Sequence, residues 1–130
     1  MALQIPPNCD LTLGLVCVEK STPGITTWQL VADERFANPA GVTQGGFLAA
    51  ALDSAMGASA VSAQRGRRVF VANTEMKVSF IRPAPIGSLL EILATVQKAG
   101  RVICFVDAKV LDQTGALVAT ANSTYLIKER

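Results

Sequence analysis

Histidine is absent from this chain of 130 residues. Without it, the chain can form neither a Ser-His-Asp triad nor a Cys-His pair, and it lacks the usual general base and a ligand of most zinc sites. Any chemistry must therefore rely on carboxylates, amides, hydroxyls and backbone groups. We expect no metal site.

Charged and aromatic residues are also scarce. The charged fraction is 17%, the aromatic fraction is 5% and the formal net charge is +2, with no basic run interleaved with aromatics. Nucleic acid is therefore not an expected partner. Arg65, Arg67 and Arg68 form one local basic cluster, which fits a solvated turn as well as a phosphate contact. Half of the residues are hydrophobic, and so apolar a composition indicates a buried interface between copies.

Targeting and redox signals are missing as well. Residues 1–7 show no basic segment followed by an apolar core, so we expect no signal peptide and a cytoplasmic location. The longest apolar stretch is interrupted by Asp53 and Gly57 and is shorter than a membrane span, so a membrane is not an expected partner. The cysteines are odd in number and lack metal-type spacing, which predicts reduced and mostly buried thiols at Cys9, Cys17 and Cys104.

The order of predicted elements is two strands, one long helix and four strands, in a single domain over residues 1–130. The helix is predicted over residues 45–64, with Gly66 suited to the C′ position after it. Turn residues at Pro23-Gly24, Ala99-Gly100 and 113–115 separate predicted strands. The predicted strands cover residues 11–19, 25–32, 69–81, 89–97, 102–111 and 117–127. A helix that is apolar on nearly all sides must be covered, and a strongly curved antiparallel sheet wrapped around it meets that need.

The most informative segment is residues 38–46, which runs into the apolar stretch 47–61 with one carboxylate at Asp53. A Gly-Gly pair opens the helix, so its bare N–H groups can point at a ligand oxygen. At 1.5 Å of rise per residue, Gly45 and Asp53 lie roughly 12 Å apart along the helix, too far to act on one carbonyl. If two copies of the helix pack antiparallel, Asp53 of one chain approaches Gly45 of the other, and symmetry creates two identical sites.

Three features of the chain belong together. They are the spacing Asn-x-x-Gly-x-x-Gln-Gly-Gly with a carboxylate seven residues after the last glycine, the strand end at residues 78–84, and the order of the elements. In residue numbers the pattern is Asn38, Gly41, Gln44, Gly45, Gly46 and Asp53. Over about residues 10–127, this combination resembles the hotdog-fold thioesterases of the phenylacetate-pathway and hydroxybenzoyl-CoA types. The resemblance implies an α+β fold with a curved six-stranded antiparallel sheet around one central helix.

The resemblance also implies a reaction, the hydrolysis of an acyl-CoA with an aromatic or medium-chain acyl group, without a cofactor. The thioester oxygen would bind the N–H groups at Gly45 and Gly46. Asp53 of the partner chain would serve as general base or nucleophile, in a homodimer at minimum and a tetramer by expectation. The family's histidine is replaced by Gln44, whose amide can donate a hydrogen bond but cannot carry a proton at neutral pH.

Each site residue also has a structural alternative. Asp53 would otherwise be a solvated helix position or an ion-pair partner, although an isolated carboxylate among apolar neighbours is costly to bury unless it is used or paired. Gly45 and Gly46 would form only a tight turn. Asn38, expected to position the water or the loop, would be an ordinary Asn-Pro turn opener.

Further candidates lie after the helix. Asn73 and Thr74 are on the following strand, where the resemblance implies a polar residue near the reacting group, and a register slip of one residue exchanges the two. Arg82 and Arg101 are candidate contacts for the CoA phosphates, or else solvated positions. Phe47, Phe80 and Trp28 are expected in the core and not in an acyl pocket.

Two other functions occur as alternatives to hydrolysis. The hydratases and dehydratases of the same fold rely on a histidine, which this chain lacks. A non-catalytic or weakly catalytic acyl-CoA-binding protein remains the alternative, because Gln44 replaces the family's histidine. Release of CoA from a panel of acyl-CoAs distinguishes the two.

Overall fold

A computed structural model describes residues 4–130. The helices and strands, in chain order, are α1 (Asn8–Leu13), β1 (Val16–Glu19), β2 (Ile25–Val31), α2 (Gly45–Ser62), β3 (Val69–Phe80), β4 (Leu89–Ala99), β5 (Ile103–Leu111) and β6 (Leu117–Glu129). The strands form one antiparallel sheet in the order β1-β2-β4-β5-β6-β3, so β1 and β3 are its edges. This is the predicted hotdog fold, and the prediction is confirmed.

Helix α2 packs its apolar side into the sheet, and this contact forms the centre of the core. Its buried residues are Leu48, Ala51, Leu52, Ala55, Met56, Ser59 and Ala60. The opposite side is not covered, and Gly46, Ala50, Asp53 and Val61 are exposed there. The sheet therefore leaves one side of this apolar helix uncovered within one chain. The uncovered side is lined mainly by small residues.

A buried polar network fastens α2 to β2. Thr26 Oγ1 lies 3.2 Å from the carbonyl oxygen of Ala55 and 2.7 Å from Ser59 Oγ, and it accepts a hydrogen bond of 2.8 Å from the indole N–H of Trp28. These groups are buried, so each hydrogen bond offsets a desolvation cost. The prediction that Trp28 lies in the core is confirmed.

The predicted first strand is wrong over its first half. The structure has a short helix at Asn8–Leu13, and only Val16–Glu19 is a strand. Gly14 ends the helix in the left-handed conformation, with φ of 74°, and its N–H bonds back to the carbonyls of Asp10 and Leu11. Glycine adopts this conformation without steric cost, so it stops the helix and turns the chain into β1.

Two smaller expectations also change. Helix α2 ends at Ser62, its C-cap is Ala63 in a right-handed conformation, and Gly66 lies in the following turn instead of at C′. The thiols are unpaired, as expected, but only Cys104 is buried, whereas Cys9 is exposed. Between residues 4 and 130, no helix is long and apolar enough to cross a membrane.

Candidate active site

The loop before α2 is shaped by its own asparagine. Asn38 Oδ1 accepts hydrogen bonds from the N–H groups of Ala40 at 2.9 Å and Val42 at 3.2 Å. The backbone of Asn38 pairs with Val42 in addition. This is an Asx-type turn, in which the side chain replaces backbone partners. The structure therefore places Asn38 as a support of the loop, and its side-chain oxygen faces the loop itself.

Gln44 is the N-cap of α2 and joins the loop to its neighbours. Its N–H donates to the carbonyl of Phe36 at 2.8 Å, and its own carbonyl accepts from the N–H of Phe47 at 3.1 Å. The Gln44 side chain makes no capping bond, and its Oε1 lies over Gly46. Its amide is therefore next to the first turn of α2, on the exposed side of the chain.

The first turn of α2 has the electrostatics of an anion site. Helices leave their first N–H groups without intrahelical acceptors, and the helix dipole places partial positive charge there. No acidic side chain in that turn compensates it. Gly45 and Gly46 leave this end of the helix bare, so a negatively charged oxygen can approach the backbone.

Phe80, at the end of β3, covers one side of this glycine pair. A Cβ added at Gly45 would lie 2.7 Å from Cζ of the Phe80 ring, so glycine is what permits this close approach. Phe80 is 54% exposed. The expectation that Phe80 belongs to the core is therefore wrong, and its ring forms a wall beside the helix start. Phe47 is half-buried and stacks on Phe36, with 4.4 Å between ring centroids.

The carboxylate of Asp53 accepts two hydrogen bonds on one oxygen. Tyr125 Oη lies 2.7 Å from Oδ1, and Asn73 Nδ2 lies 2.9 Å from the same atom. Asp53 itself is exposed within one chain. The small and apolar helical neighbours of Asp53 predict that it is buried, and this prediction is wrong within one chain because the sheet does not cover this side of α2.

Tyr125 was not among the predicted site residues. It lies on β6 with its side chain turned inward and is only 2% exposed. Burial, and next the hydrogen bond to Asp53, raise the pKa of the Tyr125 phenol, so it stays a neutral donor. The one available signal was that it is the only tyrosine in the chain, on a strand whose inward positions are otherwise apolar or small.

A β-bulge decides which polar residue of β3 faces Asp53. The pairing of β3 with β6 shifts between Asn73 and Glu75. Asn73 points at the helix, whereas Thr74 occupies the bulge and donates to the carbonyl of Thr124 at 2.9 Å. A bulge reverses the alternation of side chains beyond it. As a result Phe80 faces the helix as well, and only one of the two predicted residues is brought to Asp53.

The two predicted phosphate contacts are far apart within one chain. Arg82 donates to the carbonyl of Leu117, at the start of β6. Arg101 lies 3.5 Å from Glu129, at the end of β6, and Arg67 of the predicted basic cluster pairs with the same carboxylate at 3.1 Å. Thirteen residues of β6 at about 3.3 Å each separate the two ends by about 40 Å along the strand. One chain therefore cannot place both arginines on one phosphate.

The structure thus places the predicted site residues in two groups, and the two groups lie apart within one chain. One group is the helix start with Gln44, Gly45 and Gly46, and the other is the Asp53 carboxylate with Asn73. About two turns of α2 lie between them, or roughly 12 Å. Residues 4–130 contain no group of three side chains suited to bind a metal ion.

Comparisons with known proteins give the family. The thioesterase superfamily profile matches residues 40–119. The human acyl-coenzyme A thioesterase 13 is 25% identical over 118 residues, which cover 90% of this chain and 83% of the human protein.

Solved structures agree with this match. A phenylacetic acid degradation-related protein from Ralstonia eutropha JMP134 is 34% identical, with a TM-score of 0.82 over 92% of this chain and 89% of that chain. The E. coli PaaI protein of the phenylacetic acid degradation operon has a TM-score of 0.86 over 92% of this chain and 83% of that chain, at 19% identity, and shows the fold alone. The profile covers more than half of the chain and includes the glycine-opened helix and Asp53, and this chain therefore belongs to the thioesterase superfamily and is a thioester hydrolase.

Proposed function

We propose that this chain hydrolyses acyl-CoA thioesters with an aromatic or medium-chain acyl group, at two identical sites shared between the subunits of a homodimer. The observation that carries the proposal is the Asp53 carboxylate. It is exposed, yet fixed through one oxygen by Tyr125 and Asn73. A surface carboxylate with only a structural role has no need of two side-chain donors from two strands.

The chemistry follows from the two groups of the site. The N–H groups of Gly45 and Gly46, with the amide of Gln44, stabilise the negative charge that develops on the thioester oxygen. Asp53 of the partner subunit either takes a proton from water, which adds to the carbonyl carbon, or attacks that carbon itself to form an anhydride that water then cleaves. In both routes the C–S bond breaks, and the CoA thiolate leaves and takes up a proton.

A second copy is needed because the helix separates the two groups by roughly 12 Å. Two features of the chain support such a copy. Strand β3 is a sheet edge of twelve residues, and an edge of this length is a template for pairing with another strand. Asn73 connects that edge to Asp53, so a partner that pairs with β3 lies next to the carboxylate.

The charges on β3 fit antiparallel pairing between the β3 strands of two subunits. Glu75 and Lys77 are both exposed and flank Met76. A two-fold axis at Met76 places Glu75 opposite Lys77 of the partner subunit, and opposite charges across a strand pair are favourable. The same axis brings the Arg82 end of one β3 next to the Val69 end of the other. Because Val69 pairs with Glu129, which contacts Arg101, the two candidate phosphate contacts meet across the dimer.

The acyl group is proposed from the aromatic side chains near the helix start. Phe80 lies against Gly45, and Phe47 stacks on Phe36 just inside the first turn. Aromatic faces favour aromatic or extended apolar groups. The name of the Ralstonia eutropha relative, a phenylacetic acid degradation-related protein, points in the same direction.

The test is the release of free CoA from a panel of phenylacetyl, benzoyl, short-chain, medium-chain and long-chain acyl-CoAs. We expect the highest kcat/KM for the aromatic and medium-chain substrates. An equal preference for long chains would contradict the acyl assignment. Tight binding of acyl-CoA without CoA release would support the alternative, a binding protein with little turnover.

A further inference from the structure

We propose that Tyr125 is a positioning residue, which holds Oδ1 of Asp53 so that Oδ2 is the oxygen that activates water or attacks the thioester. This inference rests on the proposed function and adds two details to it. It names the reacting atom of the carboxylate and the side chain that selects it.

The two carboxylate oxygens of Asp53 differ in the number of hydrogen bonds that they accept. Tyr125 Oη at 2.7 Å and Asn73 Nδ2 at 2.9 Å both contact Oδ1. Among residues 4–130, no side chain donates to Oδ2. Tyr125 Oη also lies 2.9 Å from the main-chain carbonyl of Asp53, but a phenol has one proton, and the shorter contact is to the charged acceptor. Oδ1 is therefore occupied, and Oδ2 is available to a substrate.

The phenol is itself held in place. Asn73 Nδ2 lies 3.4 Å from Tyr125 Oη and 3.3 Å from Ser123 Oγ, so three side chains from two strands surround the same point. The ring passes next to Gly57, one turn after Asp53, where an added Cβ would lie 3.6 Å from Cε1 and 3.8 Å from Oη. A small residue at position 57 leaves the path from β6 to the carboxylate open.

Burial explains why a tyrosine suits this task. The side chain is almost fully buried, and its pKa is raised above the ordinary value of 10.0, first by burial and then by the hydrogen bond to Asp53. It therefore remains a proton donor at any pH where the enzyme works. Asp53 is an exposed helix residue whose side chain would otherwise rotate freely, and a reaction loses rate when its reacting atom is misplaced by about 1 Å.

The kinetic test is Tyr125→Phe, which removes only the hydroxyl. We expect kcat to fall about 10- to 100-fold, the value of one hydrogen bond to a charged group, with KM changed less than about twofold. An unchanged kcat would overturn the proposal.

The matched control is Thr26→Val, which also removes one buried, hydrogen-bonded hydroxyl. Thr26 contacts α2 at Ala55 and Ser59, and its hydroxyl makes no hydrogen bond to Asp53 in the part of the chain that the structure describes. We expect this variant to lose stability while kcat and KM stay as in the wild type. If Thr26→Val and Tyr125→Phe lower kcat equally, the effect of Tyr125 is only structural.

A second measurement does not depend on turnover. Tyr125 is the only tyrosine, so ultraviolet absorbance during an alkaline titration reports its ionisation alone. In the wild type we expect no tyrosinate before alkaline unfolding, and in Asp53→Asn we expect tyrosinate at a lower pH than in the wild type. These results support the Tyr125–Asp53 contact even if no acyl-CoA is hydrolysed, in which case only the proposed function fails. Ionisation of Tyr125 near pH 10 in the folded wild type, or titrations that do not differ between the two proteins, would overturn the inference.

Discussion

Replacing Asp53 with asparagine should remove turnover while keeping the fold. The two side chains have nearly the same shape, and Oδ1 of the amide can still accept the hydrogen bonds from Tyr125 and Asn73. The amide can act neither as base nor as nucleophile. Loss of a general base typically costs about 10² to 10⁴ in rate, which is about 3 to 5 kcal/mol of activation free energy.

The effect of Asp53→Asn on stability should be small by comparison. Hydrogen bonds to a charged acceptor are worth about 1.5–3 kcal/mol, and those to a neutral one about 1 kcal/mol. Because Asp53 is exposed, solvent screening reduces this difference, and we expect a net loss near 1 kcal/mol. For a domain of this size, that lowers Tm by about 4 °C.

The assay is release of CoA thiol, combined with calorimetric binding of a thioether analogue of the best substrate. Asp107→Asn is the matched control, because Asp107 is also exposed but lies on β5, away from the helix start. We expect kcat to be unchanged in this control. If Asp53→Asn retains most of the wild-type kcat, Asp53 is not the catalytic carboxylate and the reasoning is refuted.

Three further predictions concern the helix start and the dimer. Gln44→Ala should lower kcat about 10² to 10³-fold with little change in analogue binding, and an unchanged kcat would leave polarisation to the backbone alone. Gly45→Ala should displace the Phe80 ring, raise KM for aromatic acyl-CoAs and change Tm by less than about 4 °C; Phe80→Ala should raise that KM as well, and the double variant should raise it no further than Phe80→Ala alone, whereas an additive rise would exclude the clash. Lys77→Glu should weaken the dimer in analytical ultracentrifugation by placing like charges opposite each other, and the added change Glu75→Lys should restore it; a dimer insensitive to both would refute the proposed register.

The long elements were predictable because their patterns are regular. The apolar stretch behind the glycine pair fixed α2 to within two residues, and β-type alternation located β2 to β6 with errors of at most two residues at either end. The short helix Asn8–Leu13 was not predictable in this way. It has six residues and no side-chain cap, and its apolar positions also fit a strand.

The chemistry of the site was predictable only where it is local in sequence. Gln44, Gly45, Gly46 and Asp53 belong to one loop and one helix, and their spacing was sufficient to relate them. Tyr125 was missed because it lies 72 residues from Asp53, and only the folded sheet brings the two together.

The sequence could not decide whether Asn73 or Thr74 faces Asp53, because this too depends on the folded sheet. A one-residue bulge in β3 decides which side chain faces the helix, and it leaves no clear trace in the sequence. The exposure of Asp53 was missed because the composition of its helix neighbours does not show which side of α2 the sheet covers.

The central claim is that each site combines the helix start of one chain with Asp53 of the other. The most direct test mixes Asp53→Asn with Gly46→Pro, a change that we expect to inactivate its own helix start because it removes one N–H of the first turn. Random exchange makes half of the dimers mixed, each with one intact site, so we predict about a quarter of the wild-type activity. Mixtures that stay inactive, although mass spectrometry shows mixed dimers, would contradict the shared site.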